Sequence, residues 1–246
     1  MFSFSGFFSA LEQFDVISLF GPSVGGMNNV AFAVTLVAFI AIVLLTDARS
    51  SVNGRMSFVM YLIFSFIRQL LEENLQLKKN IFFYYTIALF GFIVTANILG
   101  LIPYSLTVTS YLAVTLFLSG MSFFGNMIIG FRLHSFRFFL FFVPAGAPEA
   151  LLGMLVVIEV ISYFSRLFSL AIRLFANMMA GHALLKILSG FVYLFLESGI
   201  GYFILPLILN CVVLAVTALE VMIAFLQAYV FVVLSTIYTN EAINLH

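Results

Sequence analysis

The sequence predicts an all-α polytopic membrane protein with about five membrane-crossing helices and one surface amphipathic helix, the last two crossings forming a long, strongly tilted hairpin. Three observations predict it. Hydrophobic residues fill 64% of the 246 positions and Asp, Glu, Lys and Arg only 8%, against about 25% charged residues in an ordinary soluble domain, so there is too little polar surface to face water. Several apolar runs reach the roughly 20 residues that an α-helix needs to cross a hydrocarbon core, whereas the alternating segments of about 10 residues that build a spanning β-barrel are absent. The polar residues inside the last two runs recur at helical spacing.

Residues 1–28 form an N-terminal segment whose opening reads as neither a secretory nor a mitochondrial targeting sequence, so a protein working in an organelle is expected to be made there. Residues 29–46 are an apolar run closed by Asp47 and Arg49, the first crossing. Residues 56–77 differ, because Arg68, Gln69, Glu72, Glu73 and Asn74 interrupt the apolar residues on one helical face, as in a helix lying in the interface. Lys78 and Lys79 precede a helical hairpin over 81–131, with one crossing at 81–102 closed by Pro103 and the next starting near 108. Arg132, His134 and Arg137 then lead into a Pro and Gly rich turn at 143–148. The long hairpin, 150–240, holds apolar segments at 150–189 and 202–240 joined by a turn at 197–201. At 1.5 Å per residue each segment runs roughly 55–60 Å, about twice the hydrocarbon thickness, so each must bend or tilt by about 60°. The whole chain reads as a single membrane domain.

Net charge is zero, which leaves no basic field to attract nucleic acid. Cys211 is the single cysteine, so an intrachain disulfide and zinc-finger chemistry are excluded. No metal or cofactor motif is present, and without a Gly-x-x-x-x-Gly-Lys-Ser/Thr loop the chain has no site for ATP chemistry of its own. Of the ten Lys and Arg, seven fall within residues 46–79 and 131–148. By the positive-inside rule these segments share the matrix or cytoplasmic side, and the C-terminus ends there too.

Charges inside the long hairpin are costly, roughly 2.5–3.5 kcal/mol each at the centre of a spanning helix, and so point to function. Glu159, Arg166 and Arg173 are spaced seven and seven, on one helix face with about 20° of drift per step, and Asn177 extends the stripe. Glu220 and Gln227 form a second stripe. In an antiparallel hairpin, residues at equal depth are centred on the turn, and the pairs Arg173 with Gln227 and His182 with Glu220 both centre near residue 200. His182 and Glu220 at one depth fit a proton relay, since imidazole titrates near neutrality and a desolvated carboxylate moves toward it. Arg173 cannot relay, because a guanidinium does not deprotonate in proteins; it holds a carboxylate ionised and blocks direct passage. Glu159 lies roughly 21 Å before Arg173 along an ideal helix, toward the basic side. An acid on each side of a fixed cation describes two offset half-channels. Arg166 and Lys186 fit either such a path or a local pair with a carboxylate. Ala176, Ala180 and Gly181 flank the stripe with small side chains that admit another helix closely.

The run Ser169-Leu-Ala-Ile-Arg173-Leu-Phe-Ala-Asn177-Met-Met-Ala-Gly-His182 resembles the signature helix of subunit a of the F-type (F1Fo) ATP synthase, mitochondrial type. Ala218-Leu-Glu220 through Leu226-Gln227-Ala-Tyr-Val is similar to that family's last helix, and Leu101-Ile-Pro103-Tyr-Ser, Pro144-Ala-Gly and the tail Asn240-Glu-Ala-Ile-Asn-Leu-His246 add to the match. The resemblance implies a non-catalytic, proton-translocating stator subunit that couples proton flow to rotation of a c-ring and so to ATP synthesis. It implies that Arg173 faces the ring carboxylates, that His182 and Glu220 belong to the intermembrane-space half-channel and Glu159 to the matrix one, and that Asn177 and Gln227 are polar neighbours of the arginine. Expected partners are the c-ring, the peripheral stalk, other Fo subunits, membrane lipids and protons. The expected location is the mitochondrial inner membrane, the alternative being a bacterial plasma membrane. A self-contained secondary transporter would show paired broken helices in a repeat, and none is visible. A purely structural subunit would leave the intramembrane charges without a reason.

Overall fold

A computed structural model describes residues 14–16, 28–50, 55–75, 80–102, 105, 107–135, 149–197 and 204–243. The described residues form six α-helices: α1 Asn29–Ser50, α2 Arg55–Leu75, α3 Asn80–Gly100, α4 Leu112–His134, α5 Glu149–Glu197 and α6 Ile204–Ile243. The turn expected at 143–148 and residues 198–201 of the one expected at 197–201 lie outside the described residues, while Glu197 ends α5. Among the described residues, four helical stretches are long and apolar enough to cross a membrane: Phe82–Gly100, Leu112–His134, Leu152–Leu196 and Leu205–Ile243. Asn29–Val43 adds a shorter apolar one. The chain is thus an all-helical polytopic membrane protein.

The distribution of side chains is the reverse of a water-soluble core. Phe39, Phe117, Met154 and Leu214 are each at least 68% exposed, while Asn97, Thr115, Gln227 and Glu220 are at most 3% exposed. In lipid an outward apolar side chain costs nothing, and helices associate through close packing and polar contacts instead.

The chain packs as two compact units. The first comprises Met1–Ile40, Phe92–Tyr111 and Leu174–Ala228, and the second Ala41–Gly91, Leu112–Arg173 and Tyr229–His246, so α5 passes from one to the other at Arg173 and α6 at Ala228. In the second unit α2 is amphipathic as expected. Ile67, Leu70 and Leu71 are buried, whereas Arg68, Gln69, Glu72 and Glu73 are exposed. Ile67 and Leu71 pack with Ile87 of α3, and the Arg68 guanidinium lies 5.6 Å from the centre of the Phe83 ring. A buried polar ladder joins α4 to α6 there: the Ser122 and Ser235 hydroxyls are 2.9 Å apart, and the Thr239 hydroxyl donates to Asn126 Oδ1 at 2.8 Å.

In the first unit the segment after α3 departs from the expected helix start near residue 108. Val108–Ser110 is a 3₁₀ turn and Tyr111 is extended, so α4 begins at Leu112. The hydroxyls decide this. Ser110 Oγ donates to the Thr107 carbonyl at 2.7 Å and Thr107 Oγ1 to Ser110 Oγ at 2.6 Å, local bonds that compete with helical ones. Gly100 lets this turn fold back, since a Cβ there would come within 2.5 Å of Thr107 Cγ2. The long segments also extend past their expected ends, α5 to Glu197 and α6 to Ile243, giving helical contour lengths of about 73 and 60 Å.

Candidate functional site

In the first unit, α5 from Leu174 onward and α6 up to Ala228 bring one expected pair together, His182 with Glu220, and give Gln227 the partner Asn177, where numbering about the turn had paired it with Arg173. His182 Nε2 stands 3.6 Å from Glu220 Oε1, with the side chains 15% and 4% exposed. That separation is longer than a hydrogen bond. His182 Nε2 and both carboxylate oxygens of Glu220 are buried with no hydrogen-bond partner among the described residues. Buried polar atoms are nearly always paired, so a titratable pair that is close but unbonded stands out among the described residues. Asn177 lies four positions after Arg173 on α5, and its Nδ2 donates to Gln227 Oε1 at 3.0 Å. The other end of the Gln227 amide, Nε2, is buried without a partner.

Gly181 makes the first pair possible. A Cβ at this position would lie 2.7 Å from Glu220 Oε1, 3.1 Å from Cδ and 3.4 Å from Cγ, so the carboxyl group occupies the space that any other side chain would fill. The small-residue stripe expected to admit a neighbouring helix is thus used, at Gly181, to seat an acid.

The second unit holds Glu159, Arg166 and Arg173 on α5. Arg173 is exposed and, among the described residues, makes no ion pair; Glu159 is half-buried. Arg166, left open between a path and a local pair, forms an ion pair with Glu241 near the end of α6, and its guanidinium lies 5.1 Å from the centre of the Tyr238 ring. Sequence reasoning missed Glu241 as that partner, although Arg166 and Glu241 also centre near the turn of the long hairpin, the signal that paired His182 with Glu220. It also missed Asn97, whose side chain is fully buried and bonded at both ends. Nothing in a lone Asn within an apolar run distinguishes a bonded clamp from a lipid-tolerated residue. Lys186 has a partner of its own. Among the described residues no three His, Cys, Asp or Glu side chains converge to hold a metal ion.

The class defined by this arrangement is a helical membrane protein with acids, a histidine and arginines built into its longest spanning helices. Comparison with known proteins resolves the class further. Residues 29–240 match the family model described as ATP synthase A chain. The chain is 39% identical over 245 residues to ATP synthase subunit a of Pelagibacter ubique, covering 96% of this chain and 98% of that one. It is 40% identical over 252 residues to ATP synthase subunit a of Brassica napus and 37% identical over 245 residues to that of Chondrus crispus, with 97% of each chain covered in both cases. The chain belongs to the ATP synthase A chain family, as the arginine helix and the last helix had indicated.

Proposed function

We propose that the chain is the proton-conducting stator subunit of an F-type ATP synthase, with two offset half-channels that load and unload protons on the carboxylates of a c-ring. The observation that carries this reading is the His182–Glu220 pair in spanning helices, with Nε2 3.6 Å from Oε1 and neither Nε2 nor the carboxylate oxygens hydrogen-bonded among the described residues. A proton entering one half-channel passes through these two groups to the ring. After rotation it leaves through the other half-channel, where Glu159 receives it on the basic side. Arg173, exposed on α5, presents a permanent charge to the passing ring carboxylates and keeps the two paths apart, while Asn177 and Gln227 line its approach. Each proton falling through 100 mV supplies about 2.3 kcal/mol to rotation. The chain holds no catalytic site; ATP is made elsewhere in the complex, and the partners are the c-ring, the peripheral stalk and other Fo subunits. We place it in the mitochondrial inner membrane, the alternative being a bacterial plasma membrane, with its C-terminus on the side of the basic loops; the relatives in Brassica napus and Chondrus crispus fit the first reading and that in Pelagibacter ubique the second.

The experiment that tests the relay is Gly181→Ala, measured as ATP-driven acidification of liposomes holding the assembled complex. One methyl group forces the Glu220 carboxyl away from His182, at a cost in the usual range of about 1–3 kcal/mol for overpacking, and pumping is expected to fall about tenfold at equal complex content. Pumping unchanged by the methyl group would mean that the position of this carboxyl does not matter, and the relay reading would be lost.

A further inference from the structure

Asn97 is a polar side chain of the first unit that is hydrogen-bonded at both ends of its amide. It is 0% exposed on α3. Its amide nitrogen donates to the backbone carbonyl of Ala224 at 3.1 Å, and its amide oxygen accepts from the Thr109 hydroxyl at 3.0 Å. Ala224 lies four residues after Glu220 and three before Gln227, so the bond lands between the two buried polar side chains of α6. Within a helix the carbonyl of residue 224 already accepts the N–H of residue 228, and its second lone pair takes the bond from Asn97. Such close approach requires small neighbours, and Ala224 and Ala228 are 1% and 0% exposed. Thr109 reaches Asn97 because the turn folds back over Gly100, where Thr107 leaves no room for a Cβ.

We infer that Asn97, held by Thr109, is a positioning residue that fixes the depth and rotation of α6 and thereby the placement of Glu220 opposite His182. The inference rests on the relay proposed above and adds a part that neither stripe of polar residues contains. A helix held only by apolar contacts slides and rotates at small cost in lipid, whereas a directional bond to one particular carbonyl selects one register. Glu220, a single turn away, inherits that register. Thr109 in turn fixes the amide, so that its nitrogen and not its oxygen faces the Ala224 carbonyl.

The test uses the assembled complex in liposomes and reads proton-driven ATP synthesis against the pH of the proton-entry side, with Thr109→Val, Thr109→Ser, Asn97→Leu and Glu220→Gln compared at equal complex content. Thr109→Ser keeps the hydroxyl and is expected to reproduce the native profile. Thr109→Val keeps the shape but removes the donor, and Asn97→Leu removes both bonds. Both are expected to shift the half-maximal proton concentration, by about tenfold or one pH unit for Asn97→Leu and by less for Thr109→Val. A variant that merely weakened the fold would lower the amount of complex and leave the profile in place. If Glu220→Gln stops synthesis while Thr109→Val and Thr109→Ser both keep the native profile, the positioning role is overturned and the relay stands. Should Glu220→Gln itself leave synthesis unchanged, the underlying relay fails, and this inference with it.

Discussion

Arg173→Ala is expected to abolish ATP-driven proton pumping by the assembled complex while passive proton leak through the membrane sector persists or rises. The two halves of that result come from different properties of the side chain. A guanidinium keeps its charge at any working pH, so it cannot carry a proton between the half-channels and repels one that tries to pass. Alanine removes the barrier and opens a direct path. On the proposed function the same charge attracts each ring carboxylate as it arrives and favours its ionised form, so without it the ring is expected to retain its protons and turn without direction. Arg173 is available for this role because it is exposed and has no ion-pair partner among the described residues, unlike Arg166, whose charge is taken up by Glu241. Arg173→Lys retains a charge but as a deprotonable ammonium on a flexible stem, and is expected to pump weakly with an intermediate leak. The paired measurements are quinacrine-type acidification under ATP and valinomycin-driven proton uptake without it. Pumping preserved in Arg173→Ala would return this arginine to a structural role.

Glu220→Gln carries the next largest effect. The amide has nearly the shape and volume of the carboxyl, so the fit against Gly181 and the depth set by the Asn97 bond are preserved, but the group no longer gains or loses a proton. A positioned acid or base typically contributes about 10²- to 10⁴-fold to a proton-transfer step, and passive proton flux and proton-driven ATP synthesis are expected to fall by at least about 100-fold. Leak does not rise, because Arg173 is still present; this separates the two variants in one assay. ATP hydrolysis by the detached catalytic sector is unaffected. Flux above about a tenth of native would show that protons reach the ring by a path that bypasses Glu220.

The helices were legible because lipid imposes a strict rule: every spanning backbone must satisfy its own hydrogen bonds, so apolar runs of sufficient length are helices and little else. One polar pair of the long hairpin was legible for a geometric reason. His182 and Glu220 sit on two antiparallel helices, and numbering about the turn places them within reach, whereas the same numbering paired Gln227 with Arg173, one turn away from Asn177, the partner it has. The start of α4 was not legible, because Ser110 donates to the Thr107 carbonyl and Thr107 to the Ser110 hydroxyl, local bonds that hold a 3₁₀ turn where hydropathy alone continues a helix. Nor was the Asn97 bond, which joins residues 127 apart and depends on three small residues, Gly100, Ala224 and Ala228, whose purpose appears only when the backbones are in place. Gly181 has the same character. In the sequence it is one of several small residues on a helix face, and only the position of the Glu220 carboxyl shows which of them has an acid against it.

The proposed function requires that the two paths open to opposite sides of the membrane. The most direct measurement is side-selective thiol labelling of the assembled complex in sealed liposomes. Cys211 is exposed and must first be replaced, so Glu220→Cys and Glu159→Cys are each introduced into a Cys211→Ser background and challenged with a membrane-impermeant maleimide from one side at a time. The account predicts that position 220 is labelled only from the side opposite the basic loops and position 159 only from the side that bears them. Labelling of both positions from the same side would contradict it.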